Sequence, residues 1–330
     1  MNRPAPRPAI RLIGWLLIVV VPLALVLAAS ELVLRAIGLG DPVLYDAHPA
    51  YGYAPHPNQQ RERRRGAVVT IDSRGLRTPV DWRQPAAHHI LFIGDSVTYG
   101  GSYVDDRELF SEQVCAGLAA HHDIEANCGN AGVNAYGVEN MAARLAATDF
   151  GADMIVAVVL PGDALRGLNR LEGLPFHQSP MPPLLSATTE AAIFAWRFAK
   201  TRLRRWTTSS AAPVAPTSAE QVERAARRTE IIDRRLDTLI EVLRLHRADG
   251  TRVLLVLTPG RVAVSGDDPL TNEIHDRLAA TGLPYLDMRP HLRGADLDRL
   301  YYDAVHLNPP GHALYGEVLT ARIATELAAP

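Results

Sequence analysis

The stretch that decides the fold runs from residue 89 to residue 100 and reads His-Ile-Leu-Phe-Ile-Gly-Asp-Ser-Val-Thr-Tyr-Gly. Residues 90–93 form a short apolar run that is typical of a buried strand, and Gly94 permits a tight exit from that strand. Ser96 then lies where the strand ends and a helical turn begins, at the edge where open α/β sheets carry their chemistry. Backbone N–H groups at such a turn are suited to stabilising an oxyanion.

A serine nucleophile needs a base, and residues 301–312 provide a candidate. They read Tyr-Tyr-Asp-Ala-Val-His-Leu-Asn-Pro-Pro-Gly-His. Asp303 and His306 are three residues apart, so on one helical turn their side chains share a face. An aspartate at that distance can hold the imidazole in the right tautomer, and Pro309 suits the start of a terminal helix. We therefore predict that Asp303 and His306 activate Ser96.

The two stretches resemble blocks of the SGNH (GDSL-like) hydrolase family, in its membrane-anchored bacterial form. The first, second and last blocks of that family are matched by Gly94-Asp95-Ser96, by Asn130-Ala131-Gly132 and by the segment from Asp303 to His312. The resemblance implies a catalytic triad of Ser96, His306 and Asp303. It also implies that the backbone N–H groups of Ser96 and Gly132 hold the oxyanion, while Gly94, Asp95 and Asp163 support the site. His312 falls in the terminal helix, and we interpret it as structural.

The third block of the family, Gly-x-Asn-Asp, is only partly matched. Asp163 aligns, but Gly162 stands where the family has its oxyanion asparagine. Losing one oxyanion donor typically costs about 10²–10³ in rate. Three explanations stay open: Asn134 or Asn169 supplies the amide, two backbone donors suffice for an easy ester, or the protein keeps binding without turnover.

Composition and pattern predict one large α/β domain with an appendage. The chain has 330 residues, a formal charge of −2 and 47% hydrophobic residues, which gives no reason to expect nucleic acid as a partner. A βαβ rhythm predicts a three-layer α/β/α sandwich, with a flavodoxin-like, doubly wound parallel sheet of about five strands. The predicted strands are residues 90–93, 124–128, 154–160, 253–257 and 285–286. We expect no cofactor and no metal, because the sequence has no Cys/His cluster with metal-ligand spacing.

The N-terminus predicts a membrane anchor. Residues 12–29 are an unbroken apolar run that follows Arg3, Arg7 and Arg11, long enough to cross a bilayer with the N-terminus in the cytoplasm. We therefore expect a single-pass protein of the cytoplasmic (inner) membrane with a periplasmic or extracellular catalytic domain. A signal peptide cleaved near Ser30 is the alternative. The predicted organisation is a cytoplasmic tip and anchor (1–39), an extended linker or β-arm (40–86) and a hydrolase domain (87–330) with an insertion at 165–217.

Two features of this chain leave their interpretation open. Cys115 and Cys128 either form a disulfide in an oxidising compartment or remain small buried thiols. Within the insertion, residues 191–206 mix aromatic and basic side chains. This segment is interpreted as a helix lying on the membrane, as a lid over the site, or as a surface helix packed on the domain.

These observations predict a membrane-anchored serine esterase that deacylates a cell-envelope carbohydrate or a related ester. The expected partners are an ester-bearing substrate, with an acylated polysaccharide as the candidate, and the bilayer around residues 12–29. One alternative is an O-acyltransferase that modifies an exported polysaccharide and takes its acyl group from a membrane-embedded partner. The other is a non-catalytic glycan-binding protein with a degraded oxyanion hole.

Overall fold

The computed structural model describes residues 8–173, 187–208, 218–265 and 268–329. The predicted insertion therefore lies partly outside the described residues. The helices are α1 (Pro8–Ala36), α2 (Ser96–Tyr99), α3 (Phe110–His122), α4 (Val138–Ala147), α5 (Ala187–Thr208), α6 (Ser218–Ala248), α7 (Pro269–Ala279), α8 (Arg289–Leu292), α9 (Leu297–Leu300) and α10 (Pro309–Ala328). The strands are β1 (Tyr45–His48), β2 (Gly52–Pro55), β3 (Gln59–Glu62), β4 (Val68–Ile71), β5 (His88–Ile93), β6 (Ala126–Asn130), β7 (Met154–Val159), β8 (Arg252–Leu257) and β9 (Tyr285–Asp287).

Five strands form one parallel sheet in the order β6-β5-β7-β8-β9. The central strand, β7, is buried at every position, as expected for a parallel strand that is covered on both faces. Strand β6 begins at Ala126, two residues later than predicted, and Ala126 pairs with His88, the first residue of β5. The predicted doubly wound sheet is confirmed, and it brings the carboxyl ends of β5, β6 and β7 to one edge.

Helices cover both faces of this sheet, which confirms the three-layer arrangement. The alternation of strand side chains divides the core in two. Leu91 and Ile93 face the side covered by α4, α6 and α7, and Ile90 and Phe92 face the side covered by α3 and α10. Cys115 of α3 forms a disulfide with Cys128 of β6, so the disulfide is the alternative that the structure supports.

The arm, residues 40–86, folds into two antiparallel hairpins, β1–β2 and β3–β4. Tyr45, Tyr53 and Trp82 of the arm are buried in the same hydrophobic core as the sheet. The backbone N–H of Arg77 donates to the carbonyl of Asn130, at the end of β6 (2.8 Å). The arm thus contributes to the core around the parallel sheet and contacts the edge of the sheet where the predicted site lies.

The side chain of Arg77 is fully buried and is the strongest polar link between the arm and the domain. Its guanidinium donates to Asp106 Oδ1 (2.9 Å) and to the backbone carbonyls of Tyr99 (2.7 Å), Gly101 (2.6 Å) and Val104 (2.5 Å). Both members of the ion pair are almost completely excluded from solvent. Because a buried charge is tolerated only when it is paired and hydrogen-bonded, these bonds hold the loop that follows Ser96.

Helix α1 contains a segment, Trp15–Ala36, that is long and apolar enough to cross a membrane, with a mean hydropathy of 2.7 and no part of it buried. Its carboxyl end is bonded to the first turn of α5. The backbone N–H groups of Ala187 and Thr188 donate to the Glu31 carboxylate (both 3.0 Å). Glu190 of α5 pairs with the buried guanidinium of Arg63 in the arm (2.8 Å).

Helix α5 is therefore held at its start by α1 and by the arm. Farther along, Trp196 and Phe198 are exposed, at 70% and 65% of their surface. Large exposed apolar side chains beside a candidate membrane helix favour the interfacial interpretation of α5 over the lid. That interpretation stays a prediction.

Replacing Arg77 by methionine should lower the free energy of unfolding by about 3–5 kcal/mol, because the Asp106 carboxylate would remain buried without its partner. Urea unfolding of the detergent-solubilised chain, followed by circular dichroism, measures this loss. The matched control is Arg107→Met, at an exposed neighbouring arginine, which should change stability by less than about 0.5 kcal/mol. Equal losses in the two variants would contradict the structural role of Arg77.

Candidate active site

Ser96, the predicted nucleophile, lies on a sharp turn between β5 and α2. Gly94 has to be glycine, because a Cβ there would collide with Thr98 Oγ1 and with the carbonyl of Val158. Asp95 is buried and caps α2, since its Oδ1 accepts the backbone N–H of Val97 (2.8 Å). This cap leaves Ser96 as the first residue of the helix, where a backbone N–H has no partner within the helix.

Ser96, His306 and Asp303 are brought together although 210 residues separate the serine from the histidine. The distance from Ser96 Oγ to His306 Nε2 is 2.8 Å, and the distance from His306 Nδ1 to Asp303 Oδ2 is also 2.8 Å. This order of atoms gives a base in contact with the nucleophile and a carboxylate that orients the base. The arrangement can support nucleophilic catalysis.

The prediction that Asp303 and His306 share a helical turn was wrong. They lie in a bend before α10, and Asp303 Oδ1 accepts the backbone N–H groups of Val305 and His306 (2.9 Å each). The carboxylate caps this bend, and helix α10 begins only at Pro309. Burial raises the pKa of Asp303, but the hydrogen bonds from His306 and Val305 outweigh it, so the pKa is lowered overall. The carboxylate therefore stays ionised beside the imidazole.

The predicted oxyanion donor at Gly132 is engaged elsewhere. Its backbone N–H donates to Asn130 Oδ1 (2.8 Å), and a Cβ at this position would collide with the backbone N of Tyr99. Gly132 is thus needed for close packing against α2. Ala135, three residues later, has a left-handed φ of 63° and is partly exposed. Its backbone N–H has no partner among the described residues, so this loop holds a free backbone donor that sequence reasoning missed.

The two amides considered as substitutes for the missing asparagine already have partners. Asn134 Nδ2 donates to the hydroxyl of Tyr45 (3.1 Å), and Asn169 Nδ2 donates to the carbonyl of Ala135 (2.6 Å). Both amides thus hold the loop after β6. Gly162 lies in a 3₁₀ turn, Pro161–Leu165, at the end of β7, and a Cβ there would meet no atom within 4 Å. A β-carbon at position 162 would therefore meet no steric obstacle.

Arg166 is a second residue of the site that sequence reasoning missed. Its Nη1 donates to Asp163 Oδ1 (2.8 Å), to the carbonyl of Tyr136 (3.0 Å) and to Asp95 Oδ2 (3.2 Å). The same oxygen of Asp95 lies 3.4 Å from Ser96 Oγ. Asp163 is fully buried, and burial, followed by the charge of Asp95, raises its pKa well above the usual range. No pattern in the sequence marked Arg166, because a lone arginine in a loop is usually solvated.

His312 is fully buried, away from the triad. Its Nδ1 accepts the backbone N–H of Phe110 (3.3 Å), and its ring stacks on that of Phe110. Burial, assisted by the charge of Arg77, lowers its pKa to about 3, so the imidazole is neutral. These contacts support the structural interpretation of His312. Within the residues that the structure describes, no group of three or more His, Cys, Asp or Glu side chains is arranged to hold a metal ion.

The chain is similar to several solved structures, whereas no family model and no curated protein sequence matches it. One is an alpha/beta hydrolase enzyme from the metagenome of Lake Arreo, with 16% identity, 74% of this chain and 99% of that chain covered, and a TM-score of 0.42. Another is a catalytic mutant of Axe2, an acetylxylan esterase from Geobacillus stearothermophilus. It has 14% identity, with 75% of this chain and 97% of that chain covered, and a TM-score of 0.40. A third is a member of the lipolytic protein G-D-S-L family from Veillonella parvula. It has 16% identity, with 72% of this chain and 97% of that chain covered, and a TM-score of 0.41. All three similarities are at low sequence identity.

Asp303→Asn should lower kcat by about 10⁴, because the asparagine amide can donate to Nδ1 of His306 and favour the tautomer that cannot accept the Ser96 proton. Initial rates with a chromogenic acetate ester measure this loss. Asp298→Asn is the matched control, since Asp298 is 80% exposed and pairs with Arg261; its kcat should be unchanged. A loss below tenfold for Asp303→Asn would remove Asp303 from the triad.

Proposed function

We propose that the chain is a membrane-anchored serine hydrolase of the SGNH type that cleaves ester bonds through Ser96, His306 and Asp303. The observation that carries the proposal is the chain of two 2.8 Å hydrogen bonds from serine to histidine to aspartate. It is supported by the location of Ser96 at the carboxyl end of β5 and at the start of α2. Binding alone requires neither contact, which favours an enzyme over a glycan-binding protein.

In the proposed reaction, His306 Nε2 takes the proton of Ser96 as Ser96 Oγ attacks the ester carbonyl carbon. The carbon–oxygen bond to the alcohol then breaks, and the alcohol leaves with the proton from His306. Water attacks the resulting acyl-enzyme with His306 as base, which releases the acid and restores the serine hydroxyl. Asp303 stabilises the imidazolium in both halves of the reaction, because it is ionised and bonded to Nδ1.

Two backbone N–H groups are the proposed donors for the oxyanion. Ser96 N–H lies at the amino end of α2, where the helix favours negative charge. Ala135 N–H is a better candidate than Gly132 N–H for the second donor, since Gly132 already donates to Asn130. Both donors belong to backbone whose conformation is held by neighbouring packing, so little reorganisation accompanies the reaction.

The proposed substrate is an O-acyl group, such as acetate, on a carbohydrate of the cell envelope. The supporting observations are the apolar segment of α1, the arginines that precede it, and the disulfide between Cys115 and Cys128. Disulfides persist mainly in oxidising compartments, and the positive flank favours a cytoplasmic N-terminus. Both features favour a catalytic domain outside the cytoplasm, anchored in the cytoplasmic membrane, where envelope polysaccharides are found.

The first test is labelling with a fluorophosphonate, which reacts with activated serine nucleophiles. The purified chain should be labelled, and Ser96→Ala should not, whereas the control Ser102→Ala should be labelled like the parent. Acetate release from an acetylated oligosaccharide should follow the same pattern. A folded parent that is not labelled would contradict the esterase proposal, and transfer of acetate to an added glycan would identify an acyltransferase instead.

The second test concerns the anchor. If α1 is retained in the mature protein, the full-length chain should stay in the membrane pellet after washing with alkaline carbonate and should keep its N-terminal residues. A control that lacks residues 1–39 should appear in the soluble fraction. A mature protein that begins near Ser30 would identify a cleaved signal peptide and contradict the anchor.

A further inference from the structure

We propose that Arg166 supplies the side-chain oxyanion donor that is missing at Gly162. The inference deepens the proposed function and rests on it, because an oxyanion forms only if Ser96 attacks an ester. Arg166 stands four residues beyond Gly162, directly after the 3₁₀ turn Pro161–Leu165 at the end of β7. Gly162, where the asparagine donor is missing, and Arg166, the proposed donor, therefore both follow the end of β7.

The first support is the position of the guanidinium. Its Nη1 is fixed by acceptors from three separate segments: Asp95 beside the nucleophile, Asp163 in the turn after β7, and the carbonyl of Tyr136 in the loop after β6. Asp95 Oδ2 lies 3.2 Å from Arg166 Nη1 and 3.4 Å from Ser96 Oγ. One carboxylate oxygen therefore separates the guanidinium from the attacking hydroxyl.

The second support is unused donor capacity. An arginine has five N–H donors, and all its bonds within the described residues use Nη1. The Nη2 and Nε groups have no partner in that part of the chain, and the side chain is 35% exposed. A guanidinium that is held through Nη1 alone keeps Nη2 and Nε available to donate to a group that forms beside Ser96.

The third support is charge. Burial lowers the pKa of Arg166, but the carboxylates of Asp163 and Asp95 raise it further, so the guanidinium stays charged. A charged donor makes shorter and stronger hydrogen bonds to an anion than a neutral amide does. Arg166 transfers no proton in this role.

Gly162 provides a direct way to test the inference, because a Cβ at this position meets no atom within 4 Å and the SGNH family has its oxyanion asparagine there. Detergent-solubilised full-length variants would be compared with a neutral chromogenic acetate ester, so that kcat and KM are measured separately. Arg166→Met should lower kcat by about 10² with KM changed less than about threefold, which is the size expected for one oxyanion donor. Gly162→Asn alone should change kcat less than about threefold, since a donor is already present.

The decisive result is the double variant. If asparagine and arginine serve the same oxyanion, Gly162→Asn in the Arg166→Met background should restore kcat at least tenfold. The asparagine would not replace the bond to Asp95, so a purely positioning role of Arg166 would give no rescue. Arg166→Lys keeps the charge and tests the same point if the methionine variant does not fold. The control is Arg170→Met, at an exposed arginine of the same segment, with unchanged kcat.

Each other outcome overturns the inference. A loss below threefold for Arg166→Met excludes a donor role, a loss without rescue leaves Arg166 as a positioning residue for Asp95, and a loss confined to KM or to anionic esters makes it a substrate-binding residue. Failure of the esterase proposal looks different: the parent chain itself would lack Ser96-dependent labelling and turnover.

Discussion

The buried guanidinium of Arg77 is the interaction on which the rest of the site depends. It enters from the arm and bonds to three carbonyls and one carboxylate in the segment from Tyr99 to Asp106. This segment follows the nucleophile directly, so the charge holds the far end of α2 while Asp95 holds its start. Taking Arg77 away would leave polar groups without partners in a dry interior, which costs far more than a lost surface contact.

The candidate active site is built in the same way: buried polar groups fix the positions of more exposed ones. Asp95 and Asp163 are excluded from solvent and bind Arg166, whose other edge is open. Asp303 and His306 are more exposed and lie in a bend that the Asp303 carboxylate itself holds. The predicted nucleophile therefore follows a buried strand end, whereas the predicted base comes from a more exposed bend.

Local patterns predicted the strands and most helices well, because each apolar run corresponds to one element. Asp105 and Glu108 form a capping box on the 3₁₀ turn that precedes α3. The bend at Asp303 was mistaken for a helical turn, because a spacing of three residues fits both a helix and a side-chain cap. The donor assigned to Gly132 illustrates a different difficulty: a glycine in a loop marks close packing or a backbone donor equally well, and here Asn130 occupies its N–H.

The sequence by itself determined the sheet, its two covered faces, the candidate anchor helix, and the order in which serine, aspartate and histidine enter the site. These follow from hydrophobic periodicity and from short motifs, which act over a few residues. Only the tertiary structure decided that the arm shares the core of the domain, that Cys115 meets Cys128, and that Arg166 lies beside Asp95 and Ser96. The disulfide joins residues 13 positions apart, and the bond between Arg166 and Asp95 joins residues 71 positions apart. Contacts over such separations are set by how strands and loops pack against one another.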